Sequence, residues 1–229
     1  LIFGATVFRV NGTYADAYDL CGQACAAFGW YNRNCAVNPY LVEGKKTAGL
    51  EIAEQCRDCP PDWVAVSVGD GCTIAGIGKG LRQMREVGLI GWRTRLLGVQ
   101  AVGVNPVSRV YRGEPAATAY AGTVADSINV AVPRNLAKAV QEVRESGGTF
   151  VDVSDADILA AMRDTGRLAG IFAEPAAATA VAGVRMAVRN EIISSGESVL
   201  AVITGNGLKD IRAAIQAVGA PIDIAPNLK

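Results

Sequence analysis

Two glycine-lined turns hold the residue types best suited to bind a ligand. The first, Gly69-Asp70-Gly71-Cys72-Thr73, follows the apolar run Val64–Val68 and opens a helix at once. Such a turn aims several backbone N–H groups and a helix N-terminus at one point, where an anion, usually a phosphate, binds. Gly69 and Gly71 let the backbone come close to that anion. The second turn, Ile203-Thr204-Gly205-Asn206-Gly207-Leu208-Lys209-Asp210, ends the last apolar run. It can supply a hydroxyl, Thr204, to a neutral ring nitrogen. There is no histidine. A Ser-His-Asp or Cys-His site made by this chain alone is excluded, as is a His-ligated metal. Proton transfer falls to Lys, Asp, Glu, Tyr or Cys.

Alone, the first turn reads no further than a strand–helix turn that favours glycine. A dinucleotide site would need an acidic residue at the tip of the next strand, and Gly98-Val99-Gln100-Ala101 carries none. A nucleotide P-loop needs Gly-Lys-Ser/Thr, whereas Gly78-Lys79 is followed by Gly80. In an open α/β sheet the carboxyl ends of the strands meet at one crevice, so both turns are expected to face one ligand. Phosphate plus a heteroaromatic ring is the outline of pyridoxal phosphate. Nearby residues read more plainly. Glu174-Pro175 reads as a carboxylate near the active site or as a helix cap, the cap being somewhat favoured. Asp126-Ser127 fits the substrate side or a locally bonded turn equally. Cys72 is expected to pack, with its pKa lowered by the helix N-terminus.

The elements that position these turns alternate between strand and helix. Thr6–Val10, Trp63–Val68, Arg95–Gln100, Thr149–Val153 and Val199–Thr204 read as strands, with the interiors Val64–Val68 and Val199–Ile203 covered on both faces. Helices are expected over Thr13–Phe28, Lys46–Gln55, Thr73–Val87, Pro133–Ser146, Ser154–Arg163, Glu174–Arg189 and Lys209–Val218, with a short one inside Pro106–Thr123. Asn32–Gly44 reads as irregular, broken at Asn38-Pro39, and as the crossing between a small and a larger domain. Ala220–Lys229 reads as loop. The fold class is α/β, an open mostly parallel sheet with helices on both faces.

The 22 Lys and Arg balance the 22 Asp and Glu in 229 residues, and the basic residues are scattered. Nothing points to a nucleic-acid or membrane partner, and no apolar run approaches a membrane span or a signal peptide. The six cysteines, Cys21, Cys25, Cys35, Cys56, Cys59 and Cys72, read as reduced thiols of a cytoplasmic protein, Cys21 and Cys25 packed on a helix face, with no metal site.

Taken together in order, the motifs are specific. They are Asn38-Pro39-Tyr40, Glu43-Gly44-Lys45-Lys46-Thr47, Gly69–Gly76, Thr123–Ile128, Ile171–Ala176 and Thr204–Asp210. Over nearly its whole length the chain resembles the threonine synthases and their relatives among fold type II pyridoxal-phosphate enzymes. The resemblance implies a cofactor between two domains: residues 1–36 as the remnant of a small one and 37–229 as the large one. It implies that the amides of Gly69, Asp70, Gly71, Cys72 and Thr73 hold the cofactor phosphate and that Thr204 bonds the ring nitrogen. The implied reaction removes phosphate from O-phosphohomoserine and adds water to give threonine, an elimination or replacement at the β or γ carbon of an amino-acid substrate. A homodimer is usual in the family.

Two departures accompany the resemblance. The family's Schiff-base lysine lies in a Ser-Phe-Lys-Asp-like motif that this chain does not contain. Lys46, Lys79 and Lys209 match other family positions and read as surface or helix-end lysines, so no catalytic residue is expected in this chain. Leu1 corresponds to a point past that motif, and the N-terminal segment is expected to be missing. The substrate-phosphate pocket is also altered: Cys35-Ala36-Val37-Asn38-Pro39-Tyr40-Leu41 stands where the family reads Asn-Ser-Val-Asn-Pro-x-Arg. Arg33 and Asn38 are the candidate substrate-side residues, and Asp70 replaces the family's usual Asn. The alternatives are a serine or threonine dehydratase-like ammonia-lyase, or a non-catalytic module that binds a phosphorylated metabolite.

Overall fold

The computed structural model describes residues 2–117 and 119–226. Four strands form one parallel sheet in the order β3-β2-β1-β4. They are β1 (Trp63–Ser67), β2 (Arg95–Ala101), β3 (Thr149–Val153) and β4 (Val199–Ala201). Alternate residues point to opposite faces of a strand, and here each face meets its own core. Trp63, Ala65, Leu97, Val99, Val151 and Val153 pack on the helices α6 (Asp155–Ala169) and α7 (Pro175–Arg189). Val64, Val66, Leu96 and Phe150 pack with α3 (Cys72–Glu86) and α5 (Leu136–Ser146). Each Val, Leu or Phe among them, fully buried, contributes about 1.5–3 kcal/mol. This is the expected α/β sheet covered on both faces.

Local signals explain most boundaries. Thr13 caps α1 (Tyr14–Phe28) in a reciprocal box with Asp16, and Gly29 stops it in the left-handed region. Ser154 and Asp157 cap α6 in the same way. Asn38 caps α2 (Pro39–Gln55), and Pro39 stands at its first position. The expected irregular stretch is therefore wrong from residue 39 onward: Asn38-Pro39 starts a helix instead of breaking one, because a first-turn proline gives up an N–H that has no partner there. The helix α5 begins at Leu136, not Pro133. Before it, Arg134 and Asn135 are drawn to Asp70.

Two expected strands are corrected. Thr6–Val10 is not a strand; these residues are mostly exposed and join no sheet among the described residues. The strand β4 has three residues, half-buried at the edge of the sheet, and not six fully covered ones. Val202 still donates to Ala65, and the chain then leaves β1. It turns to the stretch before α7, where Ala173 bridges Asn206, Glu174 donates to Gly205 and Gly207 donates to Phe172. That change of partner places the second glycine turn.

The helices α2 and α3 pack backbone to backbone. A Cβ at Gly76 would lie 2.7 Å from Lys45 Cβ, and one at Gly80 would lie 2.6 Å from the Lys46 carbonyl. Around this contact, Glu43 pairs with Lys46 and Lys79. By contrast, none of the described residues before Asn38 is buried. The helix α1 has no buried residue, Cys21 is exposed and Cys25 half-buried, so the two cysteines are not packed against the body. All six cysteines are free, and no cluster among the described residues could hold a metal. No described helix is long and apolar enough to cross a membrane.

Candidate active site

A cleft of about 1040 Å³ opens at the carboxyl ends of β1 and β4. Its walls are the start of α1 (Gly12–Ala15), the glycine loop with both flanks (Ser67–Ile74), the segments 120–122 and 126–132, Glu174 and Ala176 from α7, and the last turn through Thr204 and Lys209. Both glycine turns therefore reach one space, although Gly69 and Thr204 are far apart in sequence.

The loop is held from behind by Gln100. Its amide donates to the Val68 carbonyl at 3.0 Å, and its carbonyl accepts the Ser108 N–H at 2.9 Å. Gln100 is fully buried, and both bonds are made inside the protein where an unmade one is costly. Gly71 has φ +92°, and a Cβ there would approach Ala139 Cβ at 2.9 Å. It is the N-cap of α3 and supplies no side-chain cap, so the first-turn N–H groups of α3 have no partner from a capping side chain. Tyr120 also lines the cleft, and its hydroxyl is buried without a partner among the described residues. Unpaired donors around a cleft fit an anionic group, and the expected cofactor carries one. Gly69, Gly71, Cys72 and Thr73 all border this space, and Thr204 faces it from the opposite turn.

The Asp70 carboxylate accepts the Arg134 N–H at 2.6 Å and the Asn135 side-chain amide at 2.5 Å. These two donors, the first a backbone N–H, tie the glycine loop to the segment before α5. Arg134 in turn bonds Asp19 and lies over the Tyr18 ring, fastening α1 to this wall. Tyr14 has its pKa raised, first by burial and then by the Asp70 charge. Cys72 corrects an expectation: burial pushes its thiol up to about 11, outweighing the Lys45 charge.

Glu174 follows the less favoured of its two readings, in the cleft and not as a side-chain cap. It occupies the N-cap of α7, yet its side chain makes no cap bond. It is 5% exposed, accepts the Ser127 hydroxyl at 3.2 Å and lies 3.2 Å from Lys209 Nζ. Lys209 also donates to Ser127 at 2.6 Å, and the Glu174 side chain packs on Gly205. Glu174, Ser127 and Lys209, each of which also has an ordinary local reading, thus meet beside Thr204. Lys209 is the one basic side chain among the described residues lining the cleft. Arg33 is exposed on the approach to α2 and does not line it. Asn38 is buried away from it, donating to Tyr31 at 2.6 Å and accepting from the Tyr40 N–H at 3.1 Å.

Comparison with known proteins agrees with this architecture. Residues 1–205 match the family model described as pyridoxal-phosphate dependent enzyme. The chain is 38% identical to threonine synthase of Methanosarcina acetivorans over 231 residues, covering 100% of this chain and 57% of that protein. It is 35% identical to threonine synthase of Methanocaldococcus jannaschii, covering 98% of this chain and 56% of the relative. It therefore spans little more than half the length of these relatives. Among solved structures, the processed threonine deaminase isoform 2 of Solanum lycopersicum superposes with a TM-score of 0.77 at 22% identity, covering 95% of this chain and 60% of that one. A second threonine deaminase, from T.th., gives 0.73 at 21%, covering 90% and 64%. The chain belongs to the pyridoxal-phosphate dependent enzymes.

Proposed function

We propose that this chain forms most of the cofactor cradle of a threonine synthase-like enzyme. In that reading, residues 1–36 belong to a smaller unit and 37–229 to the large one. Backbone N–H groups of Gly69, Asp70, Gly71, Cys72 and Thr73 hold the cofactor phosphate, and the Thr204 hydroxyl bonds the ring nitrogen. The observation that carries the reading is the uncapped N-terminus of α3 at a cleft that Thr204 also lines. Pyridoxal phosphate, when bound, supplies an electron sink for carbon next to an amino group. The chain's own residues orient and enclose. Gln100 fixes the loop, Asp70 ties it to the Arg134 backbone N–H and the Asn135 side-chain amide, and Glu174 braces Gly205 beside Thr204. Lys209 is engaged by Glu174 and Ser127, and no Schiff base is assigned to it.

The reaction would be elimination or replacement at the β or γ carbon of an amino acid, with O-phosphohomoserine as the family substrate. A second reading is an ammonia-lyase acting on serine or threonine. It is favoured by the absence of Arg33 and Asn38 from the described cleft lining, which leaves Lys209 as the cation there. The test uses the full-length protein. With pyridoxal phosphate it should gain a visible absorption band that borohydride abolishes, and Thr204→Val should weaken cofactor binding about tenfold, roughly one lost hydrogen bond to a charged or polar partner. Phosphate released from O-phosphohomoserine supports the first reading, and ammonia released from serine or threonine supports the second. No band at saturating cofactor would overturn both.

A further inference from the structure

A second, smaller cavity of about 30 Å³ lies between α3, the loop before β2 and α5, and the proposed function does not use it. It sits beside the first residues of β2, at the opposite end of the sheet from the cleft. Two polar atoms of its wall residues have no partner among the described residues. Thr94 is 8% exposed, and its Oγ1 is buried and unbonded. The Trp92 indole Nε1 is buried and unbonded in the same way. Arg85 and Arg93 also line the cavity, and among the described residues neither side chain makes an ion pair or a hydrogen bond. The acceptors nearby are already engaged. Glu142 and Glu145, the two carboxylates of the wall, pair with Arg82 at 3.0 and 3.5 Å, and Arg82 also holds the exposed Glu86 at 2.9 Å. Ser146 Oγ accepts the N–H groups of Leu96 and Gly148. Near the ends of α3 and α5, the Met84 carbonyl accepts Leu89 and Ile90, and the Val143 carbonyl accepts Gly148. Donors are therefore in surplus at this cavity.

We propose that this cavity binds a small inorganic anion of halide size. An indole N–H and a guanidinium only donate, and a hydroxyl is able to, so the occupant is an acceptor. A water meets the two orphaned groups, but only an anion also answers the unpaired charge of Arg85 and Arg93. Size sets the class. A space of about 30 Å³ has room for a water or a halide ion and none for a nucleotide, a sugar phosphate or an amino acid. The bound ion joins the loop before β2 to the outer face of α3 and stabilises the folded state by mass action. The inference does not rest on the cofactor reading above, and either one stands if the other fails.

The experiment is thermal unfolding of the full-length protein at constant ionic strength, with sodium chloride replacing sodium gluconate, whose anion is too large for the cavity. At about tenfold its dissociation constant, chloride should raise the midpoint by about 2–4 °C, and the rise should saturate. Thr94→Val removes a hydroxyl that has no partner. It should fold as well as the parent in gluconate and lose at least half of the chloride rise. Arg85→Gln should weaken chloride about tenfold, as for one lost charged hydrogen bond. The glycine cup is an anion site in its own right, but Thr94→Val leaves the cup intact. A rise equal in parent and Thr94→Val therefore puts the ion elsewhere and overturns the proposal. A rise that never saturates, or no rise, overturns it too. Crystals soaked in sodium bromide give a measurement independent of folding. An anomalous peak in contact with Thr94 Oγ1 and Trp92 Nε1 supports the site, whereas a water in that place, or an adventitious ion only on the outer surface, refutes it.

Discussion

Single side chains decide how firmly the cup is built. Gln100 reads in the sequence only as the residue where a ribose-binding acid is missing. In the fold it is the brace that joins the Val68 carbonyl, one residue before the cup, to the first turn of α4 (Pro106–Tyr111). Gln100→Leu keeps the volume but leaves a buried carbonyl and a buried N–H unpaired. It should cost about 2–6 kcal/mol at one to three per orphaned group, measured by urea denaturation; a loss within experimental scatter would refute the bracing role. The glycines and Thr204 are legible because their meaning is local: a turn, a helix start, a hydroxyl at a strand end. The meeting of Glu174, Ser127 and Lys209 is not. Ser127 and Lys209 are 82 residues apart, and each has an ordinary local reading as turn or helix-end residue. Nothing in the local pattern tells Glu174 to forgo its cap for a partner brought by tertiary folding.

Among elements, the α2–α3 pair shows how charge and packing are combined. With small residues at the contact, the two backbones meet, and Glu43 at the rim takes both Lys46 and Lys79. Hydrogen bonds from these two lysines hold the Glu43 carboxyl down at about 2, against an ordinary 4.5. A lowered carboxyl stabilises the fold above its unfolded value and loses that contribution as pH falls. Stability should therefore drop between about pH 4.5 and pH 2, and Glu43→Gln should flatten that drop. Glu43 is partly solvent-exposed, so the change amounts to about 0.5 kcal/mol or less. Thermal unfolding of both proteins across this range measures it, and parallel curves would refute the assignment. Element boundaries were legible where a cap is written in adjacent residues, as at Thr13 and Ser154. They were not where partners decide. The strand β4 stops early as the chain turns so that residues 205–207 pair with the stretch before α7, and Asn38-Pro39 resembles a breaker although it begins α2.

For the whole molecule, the sheet order explains both the cleft and its weakest part. The alternation of segments made a parallel sheet with helices on both faces legible, since only crossovers of that length join parallel strands. The place of β4 was not legible, because apolar runs alone do not say which strand lies at an edge. Half-buried and three residues long, β4 should open locally before β1 and β2 do. Native-state hydrogen exchange should find the Val202 amide, donated to Ala65, less protected than the amides of Val64 and Leu97 by tenfold or more. Equal protection would contradict this. The same order sets a schedule for synthesis. Asp62 and Ser198, which lock the start of β1 to β4, are 136 residues apart. At roughly 5–20 residues per second of translation, one side of β1 waits on the order of ten seconds for its neighbour. During that interval the first glycine turn and α3 are already out of the ribosome with an open, apolar strand edge beside them, the kind of surface that chaperones shield and that pairs wrongly when it is left bare.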